Sequence, residues 1–153
     1  MATFISHSPA ETEDLGREWG RTAENGLVLA LSGDLGAGKT RFVRGFAAGL
    51  GSTTRVHSPT FSLVNIYTGG RLSLFHLDLY RLPTREQIIA AGLEEYFEPD
   101  GVCIVEWAER WFLPETASAV PTSAPLSRAR IRRVHFETVS DLIRRIQYED
   151  PGV

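Results

Sequence analysis

Eight consecutive residues, G-D-L-G-A-G-K-T from Gly33 to Thr40, carry the pattern G-x-x-x-x-G-K-[ST] at every fixed position. Each residue type there has a physical task. Gly33, Gly36 and Gly38, with Asp34, Leu35 and Ala37 between them, let the backbone turn so that several N–H groups converge on an anion. The amino end of a following helix adds its positive dipole. Lys39 brings a compact charge for β/γ-phosphate oxygens, and the Thr40 hydroxyl is a ligand for Mg²⁺. The segment is therefore expected to be a P-loop that binds a nucleoside triphosphate with magnesium. Lys39 is also the only lysine among 16 Lys+Arg, a bias that genomic base composition is enough to explain.

A P-loop is incomplete by itself, because the metal needs a carboxylate and the attacking group needs positioning. V-C-I-V-E (102–106) is four apolar residues followed by Glu106, the pattern of a buried strand releasing an acid at its carboxyl end. Ligands of open α/β sheets bind at that end. Glu106 is the candidate metal carboxylate, direct or through water; the plain alternative is a surface glutamate after a strand. In R-L-S-L-F-H-L-D-L-Y-R (71–81), Phe75, Leu77 and Leu79 alternate on one face. The other face runs from Leu72 and Leu74 into His76, Asp78 and Tyr80. Asp78 is placed to orient an attacking water or to bind metal-coordinated water, against the alternative of an exposed edge. Ser58-Pro59-Thr60 presents Thr60 on a rigid turn, where nucleotide switches keep a threonine that senses γ-phosphate and Mg²⁺.

These residues need elements to carry them. Ser8-Pro9-Ala10-Glu11 has the form of a capping box with proline at the first helical position, so a helix is expected over Pro9–Ala23. Leu27–Leu31 reads as a strand covered on both faces. Residues 39–50 read as a helix with Phe42, Val43, Phe46 and Leu50 on one side and Gly51 closing it. Phe61–Tyr67 and Arg71–Tyr80 read as strands joined at Thr68-Gly69-Gly70. Residues 84–97 look helical, Val102–Val105 is a second apolar strand, and 114–127 an irregular loop. Arg130–Phe136 is a candidate last strand, followed by a helix from Ser140-Asp141 to about Tyr148. The expected fold is α/β: a mostly parallel central sheet with an antiparallel hairpin, flanked by helices, in one domain over 1–148 with a disordered tail at 149–153.

The 153 residues with 42% hydrophobic and 23% charged side chains are ordinary globular composition. A net charge of −3 gives no general grip on nucleic acid or acidic lipid. Cys103, the single cysteine, lies in an apolar run and suits an inert buried thiol. No window approaches a membrane span in length, and a cytoplasmic protein is expected.

With these pieces assembled, the chain resembles the TsaE (YjeE) family, the small ATPases of bacterial tRNA threonylcarbamoyladenosine synthesis. The resemblance rests on E-T-E-D-L-G (11–16), G-D-L-G-A-G-K-T with R-F-V-R-G (33–45), S-P-T-F (58–61), H-L-D-L-Y-R-L (76–82) and V-E-W-A-E (105–109), in family order. It implies an ATPase of low intrinsic activity, with ATP and Mg²⁺ as cofactors, that works with the partner proteins TsaD and TsaB and meets tRNA only through their complex. It implies Thr40 and Glu106 on Mg²⁺ and Asp78 as an essential acid near the γ-phosphate. It also implies a nucleotide-contacting periphery of Pro9 to Thr12, Glu109 and the last-strand Arg130. The C-terminal part departs from the family pattern, since Thr116 to Pro125 is poor in strand formers. Two other readings stand beside it. A small-molecule kinase would need an acceptor pocket and an arginine-bearing lid, for which the chain after Glu106 holds little material. A nucleotide-dependent binding switch needs neither.

Overall fold

A computed structural model describes residues 2–33, 38–53, 64–111 and 130–149. Ten regular elements follow in order: β1 (Ala2–Ser6), α1 (Pro9–Thr22), β2 (Leu27–Gly33), α2 (Lys39–Leu50), β3 (Val64–Tyr67), β4 (Leu74–Asp78), α3 (Arg85–Ala90), β5 (Val102–Glu106), β6 (Arg130–Thr138) and β7 (Arg144–Tyr148). The strands form one seven-stranded sheet ordered β1-β7-β6-β2-β5-β4-β3. Its centre, β6-β2-β5-β4, is parallel, whereas β3 joins β4, and β7 joins both β6 and β1, antiparallel. The sheet is thus mixed, with antiparallel pairs at both ends instead of the single hairpin expected.

The two sheet faces build two cores. Leu29, Leu31, Ile104, Val134 and Phe136 face α1 and α2, where they meet Phe42, Val43 and Phe46. Val28, Ala30, Leu77, Cys103 and Val105 face the other way, onto Ile88, Leu93 and Phe97. Burial of the Cys103 thiol pushes its pKa upward and leaves it inert.

Helix α2 is held against α1 by backbone contact. A Cβ on Gly16 or Gly20 would strike the carbonyls of Phe42 and Phe46, and one on Gly45 or Gly49 would strike those of Glu13 and Arg17. The i,i+4 spacing on both helices makes the approach reciprocal. The contacts also run in register, from Thr12 beside Gly38 to Gly20 beside Gly49, so the helices lie parallel with their amino ends together. At the opposite ends the Arg71 guanidinium donates to the carbonyls of Gly20 (2.8 Å) and Arg21 (3.2 Å), and its amide donates to Leu50 O (2.7 Å). Arg71 therefore works as a helix cap, and β4 starts only at Leu74, later than expected.

Other expectations also change. Ser8 caps α1 by accepting from Glu11 N, but the Glu11 carboxylate accepts from His7 N, so the reciprocal half of the box falls one residue early. The helix expected over 84–97 is α3, a left-handed Gly92, and a 3-10 turn over Glu94–Phe97. The terminal helix expected from Ser140 is a strand. Ser140-Asp141 forms a turn closed by Val139 N donating to Ile143 O (2.9 Å), after which β7 pairs on both sides. Ser-Asp favours a tight turn as readily as a helix cap. Ile146 stands in register between Phe4 and Phe136, a three-strand apolar row with no local signature. β1 was not foreseen for the same reason. The loop expected over 114–127 lies outside the described residues.

Replacing Gly45 by Val forces α2 off α1 and is expected to destabilise the protein by about 3 kcal/mol or more. Val at the exposed Ala48 of the same helix should cost within about 1 kcal/mol. Urea unfolding of the two variants checks the contrast.

Candidate functional site

Three parallel strands end side by side. Asp78 of β4 stands in register with Glu106 of β5, and Glu106 with Leu31 of β2, two residues before Gly33. Both acids lie on the face covered by α1 and α2, because register neighbours in a parallel sheet point the same way. Gly33 ends β2 with φ 125°, and a Cβ there would strike the Phe136 carbonyl of β6, so no other residue fits. Gly38 starts α2 in a left-handed conformation (φ 97°). Asp34, Leu35, Gly36 and Ala37 lie outside the described residues.

Lys39 is buried and its ammonium donates to Gly33 O at 3.1 Å, so the lysine folds back across the start of the helix. It also stands 5.3 Å from the centre of the Trp107 ring. Trp107 is the only described non-glycine residue with positive φ (59°), strain that turns the chain sharply after Glu106. Thr40 follows in the first turn of α2, half-buried. Thr12 is buried, with its hydroxyl 2.7 Å from that of Ser6 and its methyl facing Gly38. Pro9 is exposed at the start of α1, and Glu109 is exposed in the 3-10 turn Ala108–Arg110.

Glu106 is almost fully buried, and its Oε2 lies 2.6 Å from Nε2 of the wholly buried His76. The Asp78 Oδ1 accepts from Tyr80 N at 2.9 Å. Burial pushes the Asp78 carboxyl above the ordinary aspartate range and the Glu106 charge adds to it, while the Tyr80 amide, His76 and Lys39 pull the other way. Beyond the acids, Arg110 donates to Tyr80 O (2.6 Å) and lies over the rings of Tyr80 and Trp107, tying the turns after β4 and β5 together. Among the described residues no group of three or more His, Cys, Asp or Glu is clustered to hold a metal by itself.

The structure thus brings Lys39, Asp78 and Glu106 to one end of the sheet, with Thr40, Thr12 and Pro9 on helices whose amino ends meet there. It does not bring Arg130. That residue pairs with Leu27 while Gly33 pairs with Phe136, which puts the Arg130 backbone about 20 Å along the strand from the site. The nucleotide-contact role expected for Arg130 does not fit this register. The uncertain element was the strand's alignment, which R-A-R-I-R-R (128–133) leaves open. Thr60 lies outside the described residues. Two features were not assigned to the site from sequence, the His76–Glu106 contact and the Tyr80–Trp107–Arg110 cluster. The i,i+2 spacing of His76 and Asp78 did put them on one face.

A mixed α/β sheet with paired acids, a buried lysine and two helix amino ends at its parallel carboxyl edge defines an open α/β class, in which that edge is the ligand-binding end. The family model described as threonylcarbamoyl adenosine biosynthesis protein TsaE matches residues 6–135. The chain belongs to the TsaE family. It is 48% identical over 101 residues to the tRNA threonylcarbamoyladenosine biosynthesis protein TsaE of Bacillus subtilis, covering 66% of this chain and 63% of that protein. It is 48% identical over 114 residues to the Nostoc protein of the same name (72% and 70% covered) and 45% over 106 residues to that of Treponema pallidum (69% and 78%). The crystal structure of Bacillus subtilis YdiB superposes with a TM-score of 0.71 at 32% identity, covering 99% of this chain and 86% of that one. No described helix is long and apolar enough to cross a membrane.

A raised Asp78 pKa means that the folded chain holds that proton more tightly than the unfolded chain. Stability then falls as pH rises from the unfolded value of about 3.9 through the folded one. Asp78→Asn is expected to melt above the wild type at pH 7, with the gap closing below about pH 4. Thermal unfolding at both pH values checks the sign.

Proposed function

We propose that this chain is a Mg²⁺-dependent ATP-binding protein and ATPase of the cytoplasmic machinery that makes threonylcarbamoyladenosine in tRNA. Its turnover alone is low and is raised by TsaD and TsaB, and it meets tRNA only through their complex. The observation that carries this reading is the convergence of Lys39, Asp78 and Glu106 at the carboxyl ends of β2, β4 and β5. The P-loop pattern over Gly33–Thr40 and the family membership support it.

The donor set suits magnesium and a triphosphate: a carboxylate, a hydroxyl, a lysine and a helix amino end, all hard or anion-seeking groups. Thr40 and Glu106 would hold Mg²⁺, which when bound neutralises phosphate charge. Lys39 binds β/γ oxygens in exchange for its contact with Gly33 O. Asp78, with raised proton affinity, orients the attacking water and takes its proton. Thr60 senses the γ-phosphate, and Asp34 to Ala37 complete the phosphate loop. Pro9, Thr12 and Glu109 form the periphery, where Thr12 acts by packing on Gly38.

One observation favours a second reading, a nucleotide-dependent switch without hydrolysis. The Trp107 ring lies 5.3 Å from the Lys39 ammonium and 5.2 Å from the ring of the exposed Tyr80, a link from the phosphate site to the surface.

Phosphate release from ATP should rise several-fold when TsaD and TsaB are added. Asp78→Ala should remove that rise and keep ATP binding, and Lys39→Ala should weaken ATP binding about ten- to a hundredfold. Partner-independent turnover, or a rise that survives Asp78→Ala, contradicts the hydrolytic reading and leaves the switch.

A further inference from the structure

We propose that His76 is a positioning residue that fixes the Glu106 carboxylate in its metal-binding orientation, and that Asn65 of the edge strand supports the ring from behind. The inference rests on the Mg²⁺ site proposed above and deepens it.

His76 is fully buried in β4, and its Nε2 meets Glu106 Oε2 at 2.6 Å. Its Nδ1 has no hydrogen-bond partner among the described residues. That asymmetry selects the tautomer. With Nε2–H donating to the carboxylate, Nδ1 carries only a lone pair, the less costly orphan. With the proton on Nδ1, a bare Nε2 would face a carboxylate oxygen. A doubly protonated ring would bury an N–H without an acceptor. Across the β3–β4 pair, Asn65 stands directly opposite His76, and its Nδ2 is likewise buried and unpartnered. Directly opposed residues share a face with Cβ atoms about 5 Å apart. An orphan donor thus neighbours an orphan acceptor across the strand pair, and the proposed row is Asn65–His76–Glu106.

The row has a mechanical consequence. His76 holds Oε2, so Oε1 is the oxygen left for the metal, in one direction only. Outer-shell partners of this kind set ligand orientation, and their loss costs about 10–100-fold in metal affinity. A purely structural buried histidine would instead affect stability alone.

The test measures binding of ATP with increasing Mg²⁺, and of ATP in EDTA, by calorimetry. His76→Leu should raise the half-saturating Mg²⁺ about tenfold while ATP binding in EDTA stays at wild-type strength. His76→Gln, whose amide N–H can reach Glu106, should recover most of the loss, and Asn65→Leu should show a smaller loss in the same direction. Where His76→Leu does not fold, His76→Asn, too short to reach, gives the same comparison. Unchanged Mg²⁺ dependence, or a loss that Gln does not recover, overturns the proposal. A wild type that binds no Mg²⁺–nucleotide defeats the proposed function instead. The positioning claim is then decided by ligand-free crystal structures of wild type and the His76 variant: a displaced Glu106 carboxylate supports it, and an unmoved one overturns it.

Discussion

The register of β4 on β5, with Asp78 opposite Glu106, is the constraint on which the rest of the site depends. Two carboxylates on neighbouring strands, pointing to the same face and mostly out of water, repel one another. Desolvation adds to that cost. The surroundings answer in different ways for the two acids. Glu106 meets a buried imidazole, Asp78 takes a hydrogen bond from a backbone amide, and the Lys39 charge draws the Asp78 pKa down. Asp78 still binds its proton more tightly than a free aspartate. A site left electrostatically strained in this way would gain from a divalent cation, as the proposed function requires.

The lysine is delivered by a second constraint, the backbone contact of α1 with α2. Four glycines let the helices approach closely enough for Thr12 to pack on Gly38, so the start of α2 is positioned by α1. Arg71 closes the far ends of the same two helices. At the ligand end the chain turns through positive φ at Gly33, Gly38 and Trp107, and Trp107 is the one described non-glycine residue held there. Strain stored at a ligand edge is common in binding sites. Here the strained residue's ring also stands 5.3 Å from the lysine ammonium.

Much of this was legible in the sequence because the signals were local. The apolar strands ending in Gly33 and Glu106, the helix closed by Gly51, and the alternation through Phe75, Leu77 and Leu79 all follow from neighbours within a few residues. The elements that were misread depend on distant partners. β7 is a strand because Ile146 completes a row with Phe4 and Phe136, and a short apolar pattern after Ser-Asp suits a helix equally well. Arg130 was assigned to the site by the family resemblance, but the pairing of Gly33 with Phe136 shows which end of that strand reaches the ligand edge. The role of His76 was hidden because its partner lies on another strand.

The central claim is that the carboxyl edge of β2, β4 and β5 holds a metal–nucleotide complex. Titrating Mn²⁺–ADP into isotope-labelled protein tests it most directly, because the paramagnetic ion broadens only nearby amide signals. The account expects Lys39, Thr40, Asp78, Glu106 and Trp107 to broaden first, and Leu27 and Val102, at the amino ends of β2 and β5, to broaden last. Broadening centred elsewhere on the sheet, or none at saturating Mn²⁺–ADP, would contradict it.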